Sequence, residues 1–540
     1  MIAGFDFLTA TKVQSSYYNL PFRPFKLNLN LFFIFYFYVL ILSIQPIYMF
    51  QKTIALCCVG LVLLFNNNAN AQTVKKQPAS IPKPVGHHIQ ITLKPYKNTK
   101  VYLGTNYGQN RVLADSAMLN EASLGYFSGK EKLTPGIYFI VSPKYSILFE
   151  FLVDEGQQFK IFADTLKLAD FQIIGSIDND IFSAYSKTMN QLGGQRNQLE
   201  LAYRSASTAT DSAQYLLALK KIDTSFKQER QKIISTAPKS MMRFFLDVLQ
   251  RPEAPAIPIV NGKADSSYPF YYVKNHFWDN VVFNDNRLLR TPFFEAKLDE
   301  YFKDYVSREP DSIIEEVQYM LTVAKTGKEI YPFLLFKFTN KYISPEFMGQ
   351  DKVFLHLFQN FFSKGDTVLL NDESKKAITE RAYSIMANLI GNPAPPLVLN
   401  TIDNKAFSLY ESPAKYTFIA FWDPTCGHCK EEMPRVDSFY TKNWKQLGVQ
   451  VIGVNTNVKE MAAWKQFITE EHFDAGWLHA YQTNEAFNAE INAGKPTTIR
   501  QLYDVFKTPT FYLLDKDKKI IAKNLTVDQF HDFLQSQQKK

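Results

Sequence analysis

The chain has 540 residues, with 60 Lys and Arg against 52 Asp and Glu, and only four cysteines. Residues 1–71 hold four of the basic and one of the acidic residues, so the remainder keeps an excess of five with no basic run. That balance excludes the electrostatic footprint of a nucleic-acid binder and of a polybasic membrane contact, and the length suits two or three domains.

At the N-terminus, Leu31 to Ile44 is an apolar run rich in Phe and Tyr, short for a spanning helix. A second run, Ile54 to Phe65, follows Met49-Phe50-Gln51-Lys52 and precedes Ala69-Asn70-Ala71. A short basic region, an apolar region of secretory length and an A-x-A site predict cleavage after Ala71. Leu56 precedes Cys57 where a lipid-attachment signal wants a small residue, so a lipid anchor is not expected. The expectation is a start at Met49, with residues 1–48 a mis-assigned leader and 49–71 a signal peptide. The competing reading is a long membrane-anchored N-terminus. The exported product would be soluble in the periplasm of a Gram-negative-type cell, without stable membrane insertion.

Residues 72–86, with Pro78, Pro82 and Pro84 among lysines, read as a linker. Period-two alternation then begins with Ile89, Ile91 and Leu93, and further strands are expected at Val101–Leu103, Gly136–Val141, Ile147–Val153 and Phe159–Phe162. Residues 87–170 are expected to form a small antiparallel β-sandwich. His87 and His88 are the only metal-ligand pair in it, and neighbours on a strand point to opposite faces.

Residues 171–390 turn helical: Leu216, Leu219, Ile222 and Phe226 recur at helical spacing, and Met241 to Leu249 starts a helix after Pro238. The aromatic stretch Tyr268 to Phe283, with His276, Phe277 and Trp278, reads as core rather than as a ligand groove. A spacer and a partner-recognition domain are equally compatible with this region.

After Gly391-Asn392-Pro393-Ala394-Pro395-Pro396, strands and helices alternate: Leu397–Leu399, Tyr416–Trp422, a helix from Gly427, Val449–Asn455, a helix around Met461–Phe467, Phe511–Leu514, Ile520–Ala522 and an amphipathic helix from Asp528. This pattern predicts a mixed sheet with helices on both faces over residues 391–540.

With the leader removed, the remaining cysteines are Cys426 and Cys429, set in Cys426-Gly427-His428-Cys429 between a strand and a helix. This is the arrangement for dithiol–disulfide chemistry, in which the redox-active pair itself is the only cofactor. Cys426 at the helix N-terminus would be the nucleophile, because free amides and the macrodipole favour a thiolate. Cys429, one turn inside, would resolve the mixed disulfide. His428 would lower the thiol pKa further, and Pro434 would kink the helix. A zinc half-site would need two more ligands, and a purely structural disulfide would close too short a loop to stabilise much.

The segment Phe421-Trp422-Asp423-Pro424-Thr425-Cys426-Gly427-His428-Cys429-Lys430-Glu431-Glu432-Met433-Pro434 resembles the active-site segment of thioredoxin-fold proteins. With Ala394-Pro395-Pro396-Leu397 and Thr508-Pro509-Thr510-Phe511, it resembles the TlpA/ResA branch of exported thiol–disulfide oxidoreductases. The front part is similar to N-terminal regions that accompany such modules in some exported bacterial proteins. The resemblance implies that Pro509 is a cis-proline facing the dithiol, with the Thr508 backbone turned towards a bound substrate strand and Trp422 also substrate-facing. It implies protein thiol or disulfide substrates and a separate electron donor or acceptor. Ala420 stands where many thioredoxins bury an aspartate, leaving Glu431, Glu432 or water to move the proton. A partner-binding scaffold with an accessory redox module is the competing function. A thiol peroxidase is disfavoured, since Asp423 and Ile419 replace the threonine and proline of peroxiredoxins.

Overall fold

A computed structural model describes residues 86–366, 370–492 and 498–539. The expectations for residues 1–85, Cys57 and Cys58 included, lie outside the described residues.

Eight strands open the described chain: β1 (His87–Lys94), β2 (Lys100–Tyr107), β3 (Asn110–Met118), β4 (Leu124–Gly129), β5 (Gly136–Val141), β6 (Ile147–Val153), β7 (Gln158–Asp164) and β8 (Gln172–Ile174). They form two four-stranded sheets, ordered β4-β1-β7-β8 and β3-β2-β5-β6. Alternate residues of both sheets, such as Ile89, Ile91, Leu103, Ile140, Phe151 and Ile161, share one buried core. The arrangement is not wholly antiparallel as expected: β1 and β7 run parallel, Ile89 opposite Phe159. The long chain between β1 and β7 passes through the second sheet before returning, which is the crossover a parallel pair needs.

Helices follow: α1 (Ile177–Arg204), α2 (Ala209–Thr236) and α3 (Met241–Leu249), a two-strand hairpin of β9 (Ile259–Val260) and β10 (Lys263–Ala264), then α4 (Tyr268–His276), α5 (Phe294–Asp304), α6 (Pro310–Ala324), α7 (Ile330–Ile343), α8 (Asp351–Asn360) and α9 (Asp372–Ala387). Side-chain N-caps at Ser176, Thr208, Ser240 and Asn371 start α1, α2, α3 and α9 by accepting from an orphan amide of the first turn. The aromatic stretch is core: Phe277 and Phe283 are buried with Leu298, Val317 and Phe338.

The last part holds β11 (Val398–Thr401), β12 (Ala406–Ser408), β13 (Tyr416–Trp422), α10 (Gly427–Phe439), β14 (Val449–Asn455), α11 (Met461–Glu470), β15 (Leu478–Tyr481), α12 (Asn484–Asn492), α13 (Ile499–Leu502), β16 (Thr510–Leu514), β17 (Ile520–Lys523) and α14 (Val527–Gln537). The seven strands make one mixed sheet, β12-β11-β15-β14-β13-β16-β17, with β13 parallel to β14 and antiparallel to β16. Because strand residues alternate, Phe418, Ala420 and Trp422 face α10, α11 and α14, while Ile419 and Phe421 face the other side. That second side is covered by α13 and by residues 390–409, and α9 of the helical region packs against α13. Among the described residues, no helix is long and apolar enough to cross a membrane.

Candidate active site

The buried strand β13 ends at Trp422 and the chain turns into α10 through Asp423-Pro424-Thr425. Asp423 shapes this turn: its carboxylate accepts from the Thr425 amide at 2.8 Å and the Thr425 hydroxyl at 2.6 Å, and its carbonyl accepts from the Cys426 amide at 3.1 Å. The side-chain amide of Asn457 donates to the other carboxylate oxygen at 3.0 Å. Partial burial pushes the Asp423 carboxyl up, yet the bonds from Thr425 and Asn457, with Arg500 nearby, outweigh it and hold the group below its ordinary value.

Cys426 is the N-cap residue of α10, so its sulfur meets the orphan amides of the first turn. Both cysteines are free thiols, Cys426 half-buried and Cys429 fully buried. The Cys426 sulfur lies 3.3 Å from the Thr508 carbonyl, to which its thiol donates. The Thr508 side chain holds the Cys426 thiol below its ordinary value, and the amides and thiol of the first turn, from Cys429 and His428, add to this against a small effect of burial. Cys429 behaves oppositely: burial pushes it up to about 12, although the Asp423 amide donates to its sulfur at 3.5 Å. Of two thiols one turn apart, one is prepared to ionise and the other to stay protonated.

The other site residues expected from the sequence divide. Thr508 and Pro509 lie against the dithiol side of the sheet, and the bond between them is cis. Pro434 lies inside α10, where it cannot donate to the Lys430 carbonyl. The His428 side chain is 84% exposed and meets only the Glu431 carboxylate, at 3.6 Å, so its backbone amide rather than its ring faces the sulfur. Trp422 does not face a substrate. Alternation along β13 turns it inward, where it is wholly buried with its ring against Phe467. Ala420 is buried in the same core as Cys429. Of the two glutamates, Glu431 is exposed and Glu432 is drawn off by Arg435, which also reaches Asp528.

His87 and His88 do point apart. His87 is buried on Asp115 and the Glu131 carbonyl, and His88 stacks outside on Tyr126. His276 pairs with Asp279 at 2.7 Å. Among the described residues there is no cluster of His, Cys, Asp or Glu able to hold a metal.

Sequence reasoning missed Asp423, Asn457, Arg500 and the hydroxyl of Thr508. Asp423-x-Thr425 is a local turn signal that the sequence does carry. Asn457 and Arg500 reach the site only through the fold: Arg500 spans from the Thr456 carbonyl to the Val505 carbonyl, both at 3.4 Å.

Comparison with known proteins adds independent findings. The AhpC/TSA family model matches residues 390–523, and a domain of unknown function, DUF5106, matches residues 219–387. A thiol-disulfide oxidoreductase ResA of Bacillus cereus is 31% identical over 149 residues, spanning 27% of this chain and 77% of the relative. A second, from Geobacillus thermodenitrificans, is 26% identical over 165 residues, 28% of this chain and 86% of the relative. A crystal structure of a thioredoxin-like protein from Bacteroides caccae aligns over 53% of this chain and 99% of its own, with 20% identity and a TM-score of 0.41.

Proposed function

This chain belongs to the ResA family of thiol–disulfide oxidoreductases, and from that membership we propose that it exchanges disulfides with protein substrates through Cys426 as nucleophile and Cys429 as resolving thiol. The opposed displacement of the two thiols at the start of α10 carries this reading. The Cys426 thiolate attacks one sulfur of a substrate disulfide, forming a mixed disulfide and releasing the first substrate sulfur as a thiolate. Cys429 then passes its proton to that thiolate and attacks the Cys426 sulfur, releasing the second substrate sulfur, which takes a proton from water, and leaving a Cys426–Cys429 disulfide. One substrate disulfide becomes two thiols while one protein dithiol becomes a disulfide, a transfer of two electrons. A dithiol partner must reduce the protein again, and the whole cycle runs in reverse if the partner is an oxidant.

Thr508 is assigned the polar contact to both sulfurs, and Asp423 fixes the turn that presents Cys426. The segmentation into a signal at 49–71, a β-sandwich at 87–170, a helical region at 171–390 and a thioredoxin-like part at 391–540 is part of the same proposal. So is export to the periplasm, which rests on the A-x-A pattern at Ala71.

The test is the equilibrium reduction potential of Cys426–Cys429 in the protein lacking residues 1–71, set against a glutathione series. A value near roughly −270 mV assigns reductase work, and one near roughly −180 mV or above assigns oxidase or isomerase work. Failure to form a reversible disulfide would sink the proposal. Trapping of a substrate mixed disulfide by Cys429→Ser, and not by Cys426→Ser, fixes the two roles.

A further inference from the structure

The loop that reaches the dithiol is held from the helical region. Arg381 on α9, with only 17% of its side chain exposed, pairs with Asp504 and donates from Nε to the Ile343 carbonyl at 3.1 Å. Its guanidinium also lies 5.0 Å from the centre of the Phe506 ring. Asp504 takes a left-handed backbone, φ +52°, and its carbonyl accepts from the Phe506 amide at 3.0 Å. Aspartate is among the non-glycine side chains that tolerate this conformation best. Val505 is pinned inward, 3% exposed, with its amide on the Arg500 carbonyl at 2.8 Å. Between these anchors Phe506 stands 67% exposed.

Phe506 is two residues from Thr508, which touches Cys426, so its Cα lies within about 7 Å of the Cα of Thr508. A polypeptide whose sulfur is held at Cys426 has its flanking residues within reach of this segment of the loop. The charge of Arg381 is already committed to Asp504 and lies largely buried behind the ring. What remains on offer is an apolar aromatic face.

We propose that Phe506 is a specificity-determining residue that packs against an apolar side chain flanking the reactive cysteine of a polypeptide disulfide, and that Arg381 is the positioning residue that presents it. This rests on the disulfide exchange proposed above. Covering roughly 40 Å² of apolar surface between a leucine and this ring corresponds to about fivefold in rate.

The reduced protein lacking residues 1–71 is mixed with the symmetric disulfide of acetyl-Leu-Cys-Leu-amide or of acetyl-Ser-Cys-Ser-amide, and its oxidation is followed in a single turnover. Each event converts one peptide disulfide to two thiols and the dithiol to the Cys426–Cys429 disulfide. The wild type is expected to favour the leucine peptide about fivefold. Phe506→Ser should bring the ratio close to one. Arg381→Lys, which keeps the charge but loses the planar stack, should lower the ratio part of the way while the reduction potential stays at the wild-type value. A Phe506→Ser protein that keeps the wild-type ratio, or a wild type with no preference, overturns this proposal alone. An Arg381→Lys protein with an unaltered ratio overturns the positioning role. A wild type oxidised by neither peptide overturns the exchange reading, and this one with it.

Discussion

Replacing Lys523 by Met tests how tightly the helical region is tied to the sheet. Lys523 ends β17, is 1% exposed, and sets its ammonium 2.5 Å from the Asp351 carboxylate at the start of α8 and 2.6 Å from the Asn388 side-chain oxygen. Burial pushes the lysine's pKa down, and the Asp351 charge pulls it back. Asp351 is 3% exposed and neither carboxylate oxygen has another hydrogen-bond partner, so the ammonium, with the Arg381 charge nearby, offsets the cost of burying it. Met keeps the volume and removes the cation, which strands a buried carboxylate. Breaking a buried pair in this way costs about 3–5 kcal/mol, a large share of the roughly 5–15 kcal/mol that holds a typical protein folded. Adding Asp351→Asn removes the stranded charge and should recover most of the loss, leaving about 1–2 kcal/mol for the unpaired Asn388 oxygen. Urea unfolding of the two single variants, the double variant and the parent, all lacking residues 1–71, gives the cycle. If Lys523→Met lies within about 1 kcal/mol of the parent, or the double variant is no more stable than that single one, the ion pair does not hold the junction as argued.

Thr508→Val keeps the shape of the side chain and removes the hydroxyl, so the Cys426 thiol should move up from its lowered position. Its iodoacetamide rate, which follows the thiolate, should then need a higher pH to reach its plateau, and an unshifted curve would rule out the Thr508 contribution. His479 is buried among Trp464, Phe473 and Trp477, and burial lowers its pKa to about 4 from 6.5. The unfolded chain takes up a proton below pH 6.5 that the folded one refuses until about pH 4, so stability should fall as pH drops through that window. The full loss is on the order of 3 kcal/mol, and His479→Gln should flatten the slope between pH 7 and 5 in chemical unfolding. A slope that survives the substitution assigns the acid sensitivity to other groups.

The dithiol and its helix are legible in the sequence because both are local. A strand, a two-residue-spaced cysteine pair and an N-terminal turn all fall between Tyr416 and Phe439. The same strand periodicity also bears on Trp422: with Phe418 and Ala420 facing the core, a residue two positions on must face it too. Treating Trp422 as substrate-facing followed the family resemblance instead of its side of the strand. β3 escapes a pattern search because only Ala117 in it is buried, so no apolar alternation marks it. The parallel pairing of β1 with β7 is invisible for a different reason: a strand's sequence does not encode which distant strand it will lie beside. Arg381 and Asp504 illustrate the limit, being a pair 123 positions apart that no local rule connects.

Four polar contacts join the helical region to the sheet that carries the dithiol: Asp351 and the Asn388 side-chain oxygen to Lys523, the Asn388 side-chain amide to the Leu502 carbonyl at 2.9 Å, and Arg381 to Asp504. Two of the four end in residues 502–504, a few positions before Thr508. A chain beginning at residue 391 would lose Asp351, Arg381 and Asn388 together, stranding Lys523 without its carboxylate and releasing the loop that ends at Thr508. Its thiols would keep the part of their chemistry set by the first turn of α10, while the contribution of Thr508 to Cys426 would weaken with the loop. What such a chain should lose is the fixed presentation of Phe506, so truncation should lower selectivity among polypeptide disulfides more than it lowers reactivity with a small disulfide such as hydroxyethyl disulfide. Equal losses on both would place the role of the helical region in stability alone.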